Sequence, residues 1–353
     1  MTNFDEYLRQ SEPHKREKGY AWQTAIGLQA VDGLKPSEYL IETARQHIEG
    51  DITIDEVQER IKSYYQSKKI RTAEDEAKEE ADRASANITE LLGERSFAFT
   101  VAGFTAVHRR IFDGVFKFAG KIRDYNITKK EWVLDGDTVL YVSAPDLCKA
   151  IEYDIEQEKA FDYTGLSLEQ IVSHITKFVS GLWQIHPFGE GNTRTVAVFT
   201  IQYLRSIGFD VENDLFAKHS WYFRNALVRA NYQNVQKGIK RNPEYLERFF
   251  RNLLMGEKNE LRNRSLHIGN MVQNAISREK EDSKCNICTL DCTLEESAVL
   301  QYIKENPRAT QKEIAAHIGK SERTVKSITV NLATKGIIER KNGKRNGFWE
   351  VKI

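Results

Sequence analysis

The sequence has few of the residues that build cross-linked or membrane-spanning proteins. It contains only 4 Cys among 353 residues, too few for a disulfide framework in a chain of this length. No run approaches the roughly 18 uncharged apolar residues that would cross a bilayer, and the opening stretch MTNFDEYLRQSEPHKREKGY has no apolar signal segment. We therefore expect a reduced, cytoplasmic protein without a membrane partner.

The chain as a whole also lacks a large excess of positive or negative charge, although its C-terminal segment has one. The formal net charge of the whole chain is +1. Residues 308–353 contain 11 Lys and Arg against 4 Asp and Glu, a local balance of +7 that leaves −6 for all preceding residues. A basic segment on a near-neutral chain predicts a polyanion partner for that segment alone.

Three of the four cysteines lie close together, as Cys285, Cys288 and Cys292. A closed zinc site needs four ligands, and no Cys or His follows at finger spacing. Cys148 or His267 would have to complete such a site in space. We favour the alternative interpretation, a reduced and partly buried linker.

Apolar residues at helical spacing dominate residues 20–66 and 87–255, which predicts a mainly α protein. Residues 126–142 break this pattern, because strand-forming residues stand on both sides of the turn signal Asp135-Gly136. They predict a β-hairpin inserted into a helical domain. Residues 256–292 are polar and weakly patterned, which indicates a linker.

The C-terminal residues 293–353 have the pattern of helix, helix, tight turn, helix, strand, wing and strand. This order is typical of a small winged helix-turn-helix, whose third helix enters the major groove of DNA. The basic charge favours DNA over protein docking, the other use of such domains. The residues expected at DNA are Arg323, Lys326 and Ser327 on the third helix and Lys344 and Arg345 in the wing.

The stretch HPFGEGNTR, residues 186–194, concentrates chemistry at the start of an apolar helix. Helix N-termini bind anions through free backbone N–H groups, and Arg194 can add a bidentate contact. Glu190 suits Mg²⁺, which prefers few carboxylates plus phosphate oxygens. His186 has a near-neutral pKa suited to accepting a proton from an attacking hydroxyl. Together these residues fit a nucleoside triphosphate.

The same stretch resembles the signature of Fic-domain proteins, His-x-Phe-x-Asp/Glu-Gly-Asn-Gly-Arg, and is compatible with it at eight of nine positions. The resemblance implies an all-α core with a β-hairpin flap, and transfer of AMP from ATP to a Ser, Thr or Tyr hydroxyl of a target protein. It makes His186 the base and Glu190 the Mg²⁺ ligand. The flap would bind the target by strand addition, with Lys129 and Lys130 on its surface, although solvated lysines are the interpretation we favour. The implied phosphate-binding residues are Gly189, Gly191, Asn192, Thr193 and Arg194.

Two positions depart from the family pattern. Thr193 replaces the last glycine, and we expect it in the first helical turn, where a β-branched residue is unstrained. Ala197 stands where the family often has a second arginine, which in those proteins holds the γ-phosphate and is blocked by a glutamate of an inhibitory helix.

The stretch LQAVDGLKPSEYLIETARQHIEGDITIDEV resembles the Fic-associated antitoxin module of the VbhA type. Asp32 and Gly33 align with its inhibitory Glu-Gly pair, while Leu28 stands where Ser or Thr is usual. We expect a packed segment whose Glu–Arg clamp has been lost or rebuilt. Ser37 and Gly50 are the predicted cap and stop of its first helix.

The sequence thus predicts an inhibitory segment in residues 1–86, a Fic core in 87–255, a linker in 256–292 and a winged helix-turn-helix in 293–353. The first functional hypothesis is a protein adenylyltransferase, acting on other proteins or itself, with a DNA-binding tail. The alternative is a nucleotide-sensing transcriptional regulator with a degenerate core. Transfer of a phosphoryl or another nucleotidyl group, and a homodimer, also stay open.

Overall fold

The structure, a computed structural model, describes residues 4–9, 12–211, 214–269, 294–341 and 347–352. The chain forms two compact units, Met1–Asn270 and Met271–Ile353. Within the described residues, no helix combines the length and apolar character needed to span a membrane. Both units are mainly helical, as predicted.

The first unit is built around one helix, α9, that is buried on all sides. Every residue from Asn192 to Leu204 in α9 is buried, so the surrounding helices pack against its whole circumference. The described helices of this unit are α1 Asp5–Leu8, α2 Pro13–Leu28, α3 Glu38–Glu49, α4 Ile54–Gln66, α5 Ala73–Gly93, α6 Val101–Ile111, α7 Leu147–Lys159, α8 Leu168–Ile185, α9 Asn192–Ser206, α10 Asp214–Asn231, α11 Glu244–Met255 and α12 Asn263–Leu266.

The N-terminal helices pack into this unit. Helix α2 lies against α5 and α10, and a Cβ at Gly27 would come within 2.6 Å of the Ala217 Cα atom, so glycine permits the close approach. The buried Asp82 of α5 accepts hydrogen bonds from the Ser37 hydroxyl at 2.5 Å and the Tyr65 hydroxyl at 2.7 Å. Helix α5 runs without a break through residues 86 and 87, where the sequence placed a domain boundary.

The predicted cap and stop of α3 are confirmed. The Ser37 hydroxyl accepts from the Leu40 N–H at 3.1 Å, and Gly50 ends the helix in the left-handed conformation, at φ 92°. After α2, a 3₁₀ turn, Gln29–Asp32, ends at Gly33 with φ 72°. This turn carries Asp32 toward the start of α9.

Residues 126–142, hereafter the flap, double back as predicted but form no β-strands. Asp135 and Gly136 make the expected turn, with φ values of 55° and 82°, and the Glu131 N–H donates to the Asp137 carbonyl at 2.9 Å. A 3₁₀ turn, Trp132–Leu134, precedes the bend and buries the consecutive residues Val133 and Leu134. A strand would place consecutive side chains on opposite faces. The prediction of a β-hairpin is therefore wrong, because the flap does not form a pair of hydrogen-bonded strands.

The second unit has the predicted order of elements. They are α13 Leu294–Glu305, α14 Gln311–Ile318, α15 Glu322–Thr334, β1 Ile338–Lys341 and β2 Phe348–Val351. The strands are antiparallel, with Ile338 opposite Val351. Trp349 is buried and its indole N–H donates to the Ala309 carbonyl at 3.0 Å, which attaches the sheet to the helices.

Candidate active site

His186 follows the last residue of α8 and is held in an unusual backbone conformation. Its φ of 52° is left-handed, rare for a residue with a Cβ, and Pro187 follows it. The side chain is 3% exposed and lies against the rings of Tyr141, at 4.2 Å, and Trp183, at 5.2 Å between centroids. Burial, assisted by Lys129, lowers the pKa of His186 well below its ordinary value.

The contacts of the His186 ring also indicate which nitrogen carries the proton. Nδ1 lies 3.3 Å from the Trp183 carbonyl oxygen, which can only accept. A neutral ring at this position therefore donates through Nδ1. The lone pair on Nε2 is left to accept a proton.

The loop between His186 and α9 is fixed by two side chains. Asn192 accepts from the Phe188 N–H at 3.0 Å and donates to the Phe188 carbonyl at 2.8 Å. The His108 Nδ1 accepts from the Gly120 N–H at 2.8 Å, so Nε2 carries the proton and donates to the Glu190 carbonyl at 3.1 Å. The His108 ring stacks on the inward-facing Phe188 at 3.8 Å.

Gly191 starts α9 in a conformation and a space that only glycine fits. Its φ is 76°, and a Cβ would lie 2.2 Å from the Phe112 ring. Within the described residues, no side chain caps this helix N-terminus, which leaves it suited to an anion. A Cβ at Gly189 would meet the Tyr125 hydroxyl at 2.8 Å.

Thr193 lies in the first turn of α9, as expected, without a positive φ. Its hydroxyl accepts from the Trp183 indole N–H at 2.9 Å. Thr193 and Asn192 therefore use their side chains within the protein. Only their backbone groups are placed to contact a phosphate.

Glu190 is exposed, and the flap reaches it. The Lys129 ammonium lies 2.8 Å from the Glu190 carboxylate, whose side chain is 55% exposed, whereas Lys130 is exposed. Lys129 is therefore paired with Glu190 at the partly exposed surface rather than unpaired. Among the described residues, no cluster of three or more His, Cys, Asp or Glu forms a metal cage. A single exposed carboxylate beside an anion site fits Mg²⁺ that shares its ligands with phosphate oxygens.

Arg194 is almost completely buried, at 1% exposure, and its guanidinium is surrounded by acceptors. Nη1 donates to Gln29 at 2.9 Å and Nη2 to Glu80 at 2.7 Å. Nε lies 2.8 Å from an Asp32 carboxylate oxygen, although this pair is not aligned as a hydrogen bond. Arg194 thus faces two carboxylates from the N-terminal segment (residues 1–86).

Arg224 on α10 approaches the same Asp32 from another direction. Its Nη1 lies 3.7 Å from Asp32 and donates to the Val31 carbonyl at 2.5 Å. Its Nη2 donates to both oxygens of the flap residue Glu131, at 2.9 and 3.2 Å. Burial raises the pKa of Glu131, and Arg224 opposes that shift. The Tyr141 hydroxyl also donates to Glu131, at 3.3 Å.

Arg123 joins the flap to the His186 loop. Its guanidinium donates to the carbonyls of His186, Tyr125 and Val142 at 2.9, 2.5 and 2.6 Å. Tyr125 immediately precedes the flap and Val142 is its last residue, so the two carbonyls mark its ends. Arg123 therefore keeps those ends together beside the imidazole.

Sequence reasoning missed several residues that surround this site. They lie far from residues 186–194 in the sequence, and no spacing rule connects them to the motif. A charged or amide group within an apolar helical pattern predicts burial with a partner, and this signal was available only for Gln29, His108 and Arg224. The missed residues are Gln29, Glu80, His108, Arg123, Glu131 and Arg224.

In the second unit, α15 has the predicted faces. Val325, Ile328 and Leu332 are buried. Arg323, Lys326 and Ser327 are exposed. The predicted wing residues Lys344 and Arg345, and the cluster Cys285, Cys288 and Cys292, lie outside the described residues, while Cys148 is exposed.

Comparison with known proteins agrees with the two units. Residues 98–204 match the Fic/DOC family, and residues 296–339 match the winged helix-turn-helix DNA-binding family. The chain contains a Fic/DOC family domain. Over 128 residues it is 26% identical to the protein adenylyltransferase VbhT of Bartonella schoenbuchensis, a match that covers 36% of this chain and 25% of VbhT. The chain thus spans about a quarter of the length of this curated relative.

Solved Fic structures resemble the chain at low sequence identity. A Fic family protein from Desulfovibrio desulfuricans G20 is 13% identical, with a TM-score of 0.44 over 99% of this chain and 94% of that one. The N-terminal Fic domain of a Bartonella quintana effector, solved with ADP, is 19% identical, with a TM-score of 0.42 over 52% and 87% of the two chains. BepC from Bartonella tribocorum, solved with AMPPNP, is 18% identical, with a TM-score of 0.37 over 51% and 88%.

Proposed function

We propose that this protein is a Fic-type adenylyltransferase that transfers AMP from ATP to a hydroxyl of a target protein or of itself. The supporting observations are the neutral, buried imidazole of His186, whose Nε2 is left to accept a proton, and the uncapped N-terminus of α9 that follows it in the same motif. Such a base and such an anion site are the two groups that the reaction requires.

In the proposed reaction, Nε2 of His186 accepts the proton of the target Ser, Thr or Tyr hydroxyl. The oxygen then attacks the α-phosphorus of ATP, the bond to the β-phosphate oxygen breaks, and pyrophosphate leaves. The backbone N–H groups at Gly191 and the first turn of α9, together with Arg194, would bind the phosphates. Mg²⁺ bound with the nucleotide neutralises phosphate charge, and Glu190 would hold it after separating from Lys129.

The flap would position the target segment. Its lack of β-ladder hydrogen bonds leaves backbone groups that can pair with an extended peptide, which is the strand-addition mode of recognition. Arg123 fixes the two ends of the flap. A peptide bound there would lie next to His186 and Tyr141.

We further propose that the N-terminal segment inhibits this reaction through Asp32. The Asp32 carboxylate lies against Arg194, which is the guanidinium proposed for phosphate binding, and Glu80 adds a second negative charge there. Gly33, with its positive φ, forms the turn that follows Asp32. The sequence left open whether the Glu–Arg pair of the family was lost or rebuilt. In this proposal it is rebuilt as the contact between Asp32 and Arg194.

A nucleotide-sensing regulator is the second candidate function. Two observations favour it: Arg194 is fully engaged by protein groups, and the same chain carries a winged helix-turn-helix. In that case nucleotide binding would displace Asp32 without transfer.

Intact-protein mass spectrometry after incubation with ATP and Mg²⁺, alone and with a cell lysate, separates the two functions. The adenylyltransferase proposal expects an added AMP on the protein or its targets, more with Asp32→Ala and none with His186→Ala. Equal spectra for wild type and both variants would favour the sensor. Repeating the incubation with other nucleoside triphosphates tests phosphoryl or other nucleotidyl transfer.

For the second unit we propose DNA binding in the cytoplasm. The exposed face with Arg323, Lys326 and Ser327 would enter the major groove, and Lys344 and Arg345 would contact phosphate or the minor groove. A gel shift on the protein's own promoter region should weaken steeply with salt and with Lys326→Glu. Binding that is insensitive to salt would instead indicate a protein-docking module.

A further inference from the structure

Two guanidinium groups from different helices converge on the single carboxylate of Asp32. The Arg194 Nε atom of α9 lies 2.8 Å from one oxygen, and the Arg224 Nη1 atom of α10 lies 3.7 Å from the other. Neither contact is an aligned hydrogen bond. The two guanidinium groups therefore form an anion site. The Asp32 carboxylate occupies it without the aligned hydrogen bonds of a bidentate pair.

The helix that carries Arg194 offers no second cation at this site. Ala197, one turn further along α9, is completely buried, and its side chain has no polar atom. Arg224 comes to the same carboxylate from α10 instead. We propose that Arg224 supplies the second guanidinium for the polyphosphate chain of the nucleotide. This inference rests on the proposed function, because it assigns a specificity residue to the same site.

The anchoring of Arg224 suits this role. One terminal nitrogen, Nη2, is bound by the buried Glu131, and the guanidinium carbon lies 5.4 Å from the centre of the Trp221 ring. The other nitrogen, Nη1, is directed at Asp32 and the Val31 carbonyl. Loss of the Asp32 carboxylate removes the charged partner of Nη1, which keeps only the Val31 carbonyl, while Nη2 stays bound to Glu131. Glu131 is thus a positioning residue for Arg224.

Departure of Asp32 removes one negative charge from this cluster. Three carboxylates, those of Asp32, Glu80 and Glu131, face two arginines, Arg194 and Arg224, in this cluster. When all three are ionised, their sum is one negative charge with Asp32 present and zero without it. A second cation adds more attraction for a triphosphate than for a monophosphate. Arg224 therefore discriminates ATP from AMP.

Calorimetric titration of the full chain with Mg²⁺-ATP and with AMP, in the Asp32→Ala background, tests this role. We expect Arg224→Gln to weaken ATP binding tenfold or more and AMP binding less than about twofold. Arg224→Lys, which keeps the charge but not the two-nitrogen geometry, should fall between. Arg248→Gln is the matched control, because Arg248 pairs with Glu244 on the partly exposed surface of α11.

Each result has a distinct meaning. If Arg224→Gln weakens the binding of ATP and AMP equally, or weakens neither, the proposed role of Arg224 is wrong. The adenylyltransferase proposal is unaffected by that result. Loss of both nucleotides from the Asp32→Ala protein itself would instead overturn the proposed function. If Arg224→Gln does not fold, the ratio of ATP to AMP affinity in Arg224→Lys decides, and an unchanged ratio contradicts the inference.

Discussion

The two ion pairs that flank the start of α9 differ in their environment. Arg194 is 1% exposed and meets Asp32 and Glu80, whose side chains are 27% and 24% exposed. The Glu190 carboxylate is 55% exposed and meets Lys129 of the flap at the protein surface. Buried charge pairs are costly to break, whereas exposed pairs contribute about 0–1 kcal/mol. The N-terminal segment therefore contributes a firm contact to the site, and the flap contributes one that opens easily.

The largest effect is expected from Arg194→Ala. This change leaves Gln29, Asp32 and Glu80 without their common partner, so unfolding should become easier by about 3–5 kcal/mol. Urea denaturation of wild type and variant measures the difference. A loss below about 1 kcal/mol would show that the buried cluster is no stronger than the exposed pair.

Acid should weaken the buried side of the site, through His108. Burial, together with the nearby Arg194, lowers the pKa of His108 to about 4, while the unfolded chain titrates near 6.5. The unfolded state alone binds this proton between those values, so stability is complete above about pH 6.5 and falls toward pH 4. The loss from this group is at most about 3 kcal/mol.

Denaturation at several pH values measures this slope. His108→Gln should flatten it in part, because other histidines remain, whereas the exposed His14→Gln should leave it unchanged. A slope that is identical in all three proteins would contradict the assignment.

Asp32→Ala should separate inhibition from folding. Arg194 keeps Gln29 and Glu80 in this variant, so the stability loss should stay near that of one lost partner, about 1–3 kcal/mol. Release of the anion site should raise Mg²⁺-ATP affinity tenfold or more, as calorimetry measures. Glu42→Ala, at an exposed residue of α3 paired with Arg45, is the control. An affinity no higher than that of the wild type would exclude Asp32 as an inhibitor.

The smallest change is expected from Lys129→Ala. The Lys129–Glu190 pair is partly exposed, so stability should change by less than about 1 kcal/mol, as thermal unfolding measures. Lys130→Ala is the matched control on the same flap. A loss of several kcal/mol would mean that the two pairs do not differ as their exposure indicates.

The sequence was informative wherever structure depends on neighbouring residues. Ser37 and Gly50 delimited α3 correctly, because caps act within one turn, and the order of helices and strands in residues 293–353 followed from local periodicity. Placement of Thr193 in the first turn of α9 was correct for the same reason.

Contacts between distant segments were beyond such rules. A contact within the motif itself was also missed, because Asn192 was interpreted as a phosphate ligand although its amide is hydrogen-bonded to the nearby Phe188 backbone. The flap forms no strands because burial of Val133 and Leu134 in the tertiary structure overrides the alternating pattern. Asp32 was identified from the sequence, but its contacts with Arg194 and Arg224 were not, because those residues are more than 160 positions away.

The central claim is that His186 performs chemistry at a site that Asp32 occupies. The most direct measurement compares transfer of AMP by Asp32→Ala and by Asp32→Ala/His186→Ala, after calorimetry has shown that both bind Mg²⁺-ATP equally. We predict modification of protein hydroxyls by the first protein and none by the second. Equal nucleotide binding with no transfer by either protein would contradict the account and leave a sensor in its place.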